Sequence, residues 1–304
     1  MSLARTRLNT SRHMAELTPT NALTTPSGEA SLLQLAQEFG RDVERIEQFM
    51  LSEQQVECSV IHRYGPGVYI RELMIPAGTL AVGHHQNFEH TNIMLKGRVT
   101  MLNDDGSTSE VVAPALFVGK PGRKIGYIHE DMVWLNVYAT NEQDVTKLED
   151  TFITKSQYFG QHLDGKVALL MNEVDQSDYR KVLQEVGVTD GSLMVSDDVA
   201  ELPGGGYKIK VATSRIEGQG LFATAGIEPG EAIAPARIYG KQTIAGRYTN
   251  HSASPNAKLV RVGDDAYLVA TKHITGCRGG QDGEEITIDY RQALSLTLQI
   301  GQEK

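Results

Sequence analysis

Two stretches of this chain are written in short runs where apolar and β-branched residues alternate with polar ones or stand together for a few positions. From Val56 to Asp150 the runs GVYIRELMI, TNIMLKGRVTML, SEVVAPALFV and VWLNVYAT are separated by Gly, Asp and Pro. A second set opens with YKIKVATS, just after Gly204-Gly205-Gly206. A period of two suits strands and cannot give a helix an apolar face, so the fold is expected to be mostly β. The first stretch reads as a sandwich or small barrel, with Asn103-Asp104-Asp105-Gly106 as a hairpin turn. With 304 residues the chain is long enough for two folded units. Helical spacing is confined to Leu32, Leu33, Leu35, Phe39, Val43, Ile46, Phe49 and Met50, with Gly40 as a break, and to a short helix from Ser177 to Val186. The organisation expected is a mobile arm at 1–27, an amphipathic helical segment at 28–55, a β unit at 56–150, a connector at 151–206 ending in a flexible glycine triplet, and a second β unit at 207–304.

No apolar run approaches the ~20 residues that span a bilayer, and the first residues lack the apolar core of a secretory signal. These features predict an intracellular, cytoplasmic protein without a membrane partner. The two cysteines, Cys58 and Cys277, fall in different units and are expected to be free thiols. Net charge is -9, but from Tyr207 onward there are 12 Lys+Arg against 10 Asp+Glu, whereas Glu142 to Glu201 carries 13 acids and 5 bases. The acidity therefore belongs to the connector. No basic cluster points to nucleic acid. The apolar face of the 28–55 segment would cover the following unit or meet a second copy of the chain, as a homodimer.

Three signatures follow one another in the last hundred residues. SRIEGQGLFATAGIEPGEAI holds Gly218-Gln219-Gly220; RYTNHSASPNAKLV runs from Arg247 to Val260; GEEITIDYRQ runs from Gly283 to Gln292. Singly each has a structural explanation in tight turns, side-chain to backbone bonds or a strand aromatic. Together, in this order, they resemble a SET domain, the fold that moves a methyl group from S-adenosylmethionine to a lysine. The resemblance implies that Gly218, Gln219 and Gly220 let the cofactor lie close to the backbone, that Asn250 and His251 hold it with Arg247 nearby, and that Tyr290, with Tyr248, stands at the transferring methyl. Free lysine has a pKa near 10.4 and only its neutral form can attack, so burial beside a sulfonium cation would favour the reaction. Three departures are visible: Ala253 stands where the family often has Cys, no cysteine-rich segment follows Tyr290, and the insert before the N-H-S motif is shortened to PARIYGKQTIAG. The C-terminal unit thus resembles the short viral and bacterial members, which would place a viral copy in the host cytoplasm.

The first β unit resembles a cupin, a double-stranded β-helix barrel. Gly78 is followed after five residues by His84; Gln86 takes the place of the next histidine, His90 that of a glutamate, and Gly97 closes the pattern, with Pro121, Gly122 and His129 downstream. Residues 84, 86 and 90 have one parity, so on an extended strand they would face a barrel mouth. The resemblance implies a divalent metal (Fe, Mn, Ni or Zn) held by His84, Gln86, His90 and His129. A register through His85 and Glu89 is the alternative, and a barrel without metal is a third reading. The expected protein is an S-adenosylmethionine-dependent protein-lysine methyltransferase whose cupin-like unit recognises substrate or dimerises. Two alternatives remain: a non-catalytic, viral assembly or binding protein of two β modules, and a metal-dependent cupin dioxygenase or isomerase.

Overall fold

The computed structural model describes residues 3–6, 32–34, 36–37, 42–53, 55–159, 173–186, 199–279 and 282–293. Its N-terminal unit contains β1 (Leu3–Thr6), helix α1 (Val43–Ser52), β2 (Val60–Gly65), β3 (Val68–Ile75), β4 (Thr79–Gly83), β5 (His85–Gln86), β6 (His90–Leu102), β7 (Thr108–Val112), β8 (Ala115–Gly119) and β9 (Ile125–Ala139). The two long strands organise it. Antiparallel β6 and β9 pair from Thr91↔Val137 to Leu102↔Ile125. On its other edge β9 pairs with β4 over Ile125 to Ile128 and with β3 over Met132 to Ala139, while β6 pairs with β8 through Met94 and with β7 from Arg98. Two sheets therefore share the same two strands and bend about the register shifts between Met94 and Val99.

That bend requires glycine. Gly97 has φ 97°, and a Cβ on it would lie 2.8 Å from both Asp131 O and Met132 Cα. Gly78 and Gly122, the other glycines of the sequence pattern, also have positive φ, 75° and 128°. Inside the bend, Cys58, Val60, Leu73, Ile75, Met94, Val99, Ile128, Met132 and Trp134 form an apolar core. Outside it, Ile46 and Met50 of α1 pack on Leu80, Val82 and Ile125, with Asp42 capping the helix by accepting from Arg45 N. The Asn103–Gly106 turn forms as expected: Gly106 N donates to Asn103 O, and Asp105 Oδ1 accepts from Ser107 N. The arm expectation is corrected at Leu3–Thr6, whose backbone pairs with β4; Gly40 and most of residues 1–31 lie outside the described residues.

Helix α2 (Val145–Phe152), the two-residue β10 (Ile153–Thr154) and helix α3 (Glu173–Val186) lead to the C-terminal unit. Among the described residues α3 begins before the expected Ser177 and ends with it at Val186. The unit itself holds β11 (Gly205–Tyr207), β12 (Ile209–Thr213), β13 (Gln219–Ala223), β14 (Ala232–Ile238), β15 (Lys241–Gln242), helix α4 (Ile244–Arg247), β16 (Asn250–His251), β17 (Ala257–Val262), β18 (Asp265–Ala270) and β19 (Glu285–Ile288). Two four-stranded sheets result, ordered β12-β13-β19-β16 and β15-β14-β18-β17. Among the described residues no helix is long and apolar enough to cross a membrane.

The two units are sewn together rather than strung on a linker. β11 pairs with β2, so Gly204–Gly206 is not the free hinge that its composition suggested. Val60 N donates to Thr224 O (2.9 Å) and Thr224 Oγ1 donates to Val60 O (2.6 Å). Cys58 and Cys277, neither of them in a disulfide, meet across this seam, where Cys277 Sγ lies 3.4 Å from Cys58 O. Tyr64, Tyr69, Tyr138 and Leu148 share one apolar cluster with Leu202, Ile209, Leu221 and Ile286.

Gly97→Ala is expected to lower unfolding free energy by more than about 1 kcal/mol, since neither φ nor space admits a Cβ. Gly65→Ala, where no heavy atom lies within 4 Å, is expected to change it by less than about 0.5 kcal/mol. Urea denaturation of the two variants measures this, and equal effects would remove the bend as the reason for Gly97.

Candidate functional site

The C-terminal sheet brings together residues far apart in sequence. β16 lies parallel to β19, with Asn250 opposite Thr287 and His251 opposite Ile288. The Asn250 amide nitrogen lies 2.9 Å from Ser214 Oγ and from Glu285 Oε1, 3.1 Å from Glu217 O and 3.2 Å from Gln219 O, so its two N–H groups are shared among acceptors that include the carbonyls on either side of Gly218. Asn256 fixes the same strand, donating to Glu285 O and accepting from Thr287 N. Gly220 admits no side chain, because a Cβ would run into the Glu285 carboxylate; Gly218 has φ 52° and open space where its Cβ would be. Glu285 makes no ion pair among the described residues, and burial pushes its carboxyl pKa up against the hydrogen bonds from Asn250 and Ser214.

Tyr290 follows the strand. Its hydroxyl donates to Thr249 O (3.0 Å), its N–H donates to His251 Nδ1 (3.1 Å), and burial raises its pKa. Because Nδ1 accepts, the ring proton of His251 sits on Nε2 and is donated to Asp178 Oδ2 at 2.8 Å. The structure thus assembles Gly218, Gly220, Asn250, His251 and Tyr290, with Gln219 exposed beside them. Arg247 and Tyr248 close α4, the guanidinium lying 5.8 Å from the Tyr248 ring centroid.

The sequence reading missed the residues that hold this cluster from outside. Asp175 on α3 accepts from Ser252 Oγ (2.9 Å) and Ala253 N (3.1 Å), Asp178 accepts from His251 and from Arg291 Nη1 (3.1 Å), and Tyr179 meets the Tyr290 ring edge-on at 6.0 Å. Acids three apart on one helix were a usable signal, but they were counted only as bulk connector charge.

In the N-terminal unit the four residues expected to bind metal do not come together. They were expected on one extended strand, yet His84 falls between β4 and β5, Gln86 lies in β5 and His90 opens β6. Gln86 Oε1 accepts from Tyr138 OH (2.8 Å), and the His90 ring stacks on Tyr138 at 5.4 Å. His84 is fully buried, has no hydrogen bond to either ring nitrogen among the described residues and stands edge-on to Phe159 at 4.5 Å. His129 is the extra residue of a bulge, where Arg98 pairs with Glu130 but Val99 with Ile128; its Nε2 lies 2.7 Å from Thr100 Oγ1. His85 and Glu89, the alternative register, are exposed. Among the described residues no group of three or more His, Cys, Asp or Glu side chains is placed to hold a metal ion, so His84, His90 and His129 do not form one donor set, although Gln86 Nε2 and His90 Nε2 are buried without a hydrogen-bond partner there.

No protein-family model matches the chain, and a search of curated sequences finds no match. Among solved structures, an acetylacetone dioxygenase from Acinetobacter johnsonii is similar at 11% identity over 28% of this chain and 60% of its own, with a TM-score of 0.24. A cupin domain from Bordetella pertussis Tohama I is similar at 13% identity over 29% of this chain and 97% of its own, TM-score 0.24. An RmlC-like cupin with a double-stranded β-helix fold from Methanocaldococcus jannaschii is similar at 17% identity over 32% and 91%, TM-score 0.24. This chain spans 60% of the dioxygenase's length. Scores this low carry no argument about activity or site.

Arg291, then His251, hold the Asp178 carboxyl down to about 2. A depressed carboxyl stabilises the fold above its unfolded pKa, and that contribution is lost as pH falls from about 4 towards 2. The melting temperature of wild type should exceed that of Asp178→Asn by a constant margin above about pH 4, narrowing below it. A margin that does not vary with pH would show that Asp178 is not the clamp described.

Proposed function

We propose that the C-terminal unit is a SET-type methyltransferase that binds S-adenosylmethionine and methylates a lysine of a protein substrate, with the N-terminal β unit as a cupin-like accessory domain. The observation that carries this reading is the parallel pairing of β16 with β19. It sets Asn250 against the G-x-G carbonyls and Tyr290 beside His251, joining the three separated signatures in one place. Two features support a fit to the cofactor. Gly218 leaves open space where any other residue would carry a Cβ, and burial raises the Glu285 carboxyl pKa against the pull of Asn250, Ser214 and Arg215, so that a sulfonium cation nearby would further favour its charged form.

Gly218, Gln219 and Gly220 would hold the cofactor along their backbone, and the cofactor would supply an activated methyl. The chain's own residues orient and exclude water. The side chains of Asn250 and His251 are engaged within the protein, so they are positioning residues: one fixes the G-x-G loop, the other links Tyr290 to Asp178. Tyr290, held by Thr249 O and walled by Tyr179, would direct the lysine lone pair through its hydroxyl. With its one proton donated to Thr249 O, the hydroxyl oxygen would accept from an amine N–H and leave the lysine lone pair free to face the methyl.

Methyl incorporation from labelled S-adenosylmethionine into a cell lysate and into the protein itself is the test. Tyr290→Phe keeps the ring and loses one hydrogen bond, so transfer should slow by roughly ten- to a hundredfold while cofactor affinity, read by calorimetry, stays nearly constant. Asn250→Ala should weaken cofactor affinity by loosening the G-x-G loop. Equal incorporation by wild type and both variants, or no heat from cofactor at millimolar concentration, would overturn the reading and favour a non-catalytic binding module.

A further inference from the structure

The interior of the N-terminal unit is open at the end away from Tyr138. A vestibule of about 340 Å³ between the β6–β7 hairpin and the segment before β9 leads to a smaller apolar chamber of about 40 Å³, walled by Leu73, Ile75, Val99, Ile128, Met132 and Trp134. Lys124 lines both spaces. Its Nζ lies 5.3 Å from the Phe117 ring centroid and 5.7 Å from that of Trp134, and among the described residues the ammonium makes no hydrogen bond or ion pair. The neighbouring Arg123 is already committed, to Glu47 (2.7 Å) and Gly83 O (2.9 Å). One cation therefore stands unmatched on the rim of an apolar hole.

We infer that this cavity binds a small organic acid, its carboxylate paired with Lys124 and its short apolar tail in the chamber behind Trp134. The chemistry on each side of the lysine selects such a molecule. The chamber offers apolar walls, so it favours a hydrocarbon tail and rejects a polar one. The rings of Phe117 and Trp134 steady the ammonium without neutralising it, so an anion gains from contact that a neutral or cationic ligand does not. Burial lowers the pKa of Lys124, as expected of an ammonium with too few partners, and a bound carboxylate would reverse that shift. The vestibule also carries Lys120 and a single acid, Asp104, which leaves its rim net positive with Lys124. The total space suits a monocarboxylate of a few carbons and falls at the low end of ordinary small-molecule sites.

The chain has one tryptophan, Trp134, so its emission reports this cavity and nothing else. Full-length protein is titrated with hexanoate, hexan-1-ol and hexylammonium, and the ligand-induced change in emission is read. Hexanoate should give a saturable change at a concentration at least tenfold below that needed for hexan-1-ol, and hexylammonium should give none. Lys124→Met preserves the stem and its packing; it should weaken hexanoate at least tenfold and leave hexan-1-ol unchanged. Lys124→Arg should keep hexanoate within a few-fold, and Val99→Phe, which fills the chamber, should abolish both ligands. Near-ultraviolet circular dichroism of Trp134 confirms that each variant is folded, and Lys124→Gln replaces Lys124→Met if the latter is not. Equal affinity for hexanoate and hexan-1-ol in wild type, unchanged hexanoate affinity without the lysine, or no saturable response would overturn the inference.

Discussion

A charged carboxylate held away from water underlies the union of the two β units. Glu149 on α2 sits with Lys155 Nζ at 2.7 Å and Arg71 Nη1 at 3.7 Å. Burial alone would raise its pKa; Lys155, Arg71 and Lys210 outweigh that and hold the carboxyl well below the usual range. Arg71 belongs to β3 of the first unit and Lys210 to β12 of the second, where it also pairs with Asp282. Arg71 is buried and would be costly there without the acid, while Lys210 is half-buried and shares its charge between Asp282 and Glu149. The charges therefore fix how the sheets sit on one another, while the apolar cluster through Tyr64, Tyr138 and Leu221 supplies most of the gain from exclusion of water.

The same logic of satisfied polar groups explains the C-terminal cluster. Asn250 and His251 are buried, and an unpaired amide or imidazole in that position would cost about as much as a core defect. The chain meets their needs with backbone carbonyls of the G-x-G turn and with an acid from α3, and in doing so it locks the turn and the last strand into one geometry. Rigid support of this kind is what a site that works by alignment needs.

What was legible in the sequence was local. Gly78, Gly97 and Gly122 were marked by the resemblance to a cupin pattern, and all three adopt backbone conformations that L-residues avoid. The Asn103–Gly106 turn and the helix ending at Val186 were read from turn chemistry and periodicity. The seam was not legible, because Cys58 and Cys277 are 219 residues apart and complementarity between distant backbones leaves no periodic trace. His129, which the resemblance put in the metal set, is the extra residue of a bulge, and a bulge shifts the face on which later side chains fall. Asp178 escaped notice because its partner His251 is distant in sequence, and only the docking of α3 joins them.

The parallel pairing of β16 with β19 also sets an order of events during synthesis. β19 is an interior strand of its sheet, flanked by β13 and β16, yet it leaves the ribosome after both of them. Until it arrives, Asn250 has no Glu285 to bind, and β13 and β16 have no strand between them. The pairings among β2, β3, β4, β6, β7, β8 and β9 close within residues 60–139 and can form while the rest is being made. The emerging second half must then wait with two unpaired strand edges, which makes its delay the interval most exposed to misassociation.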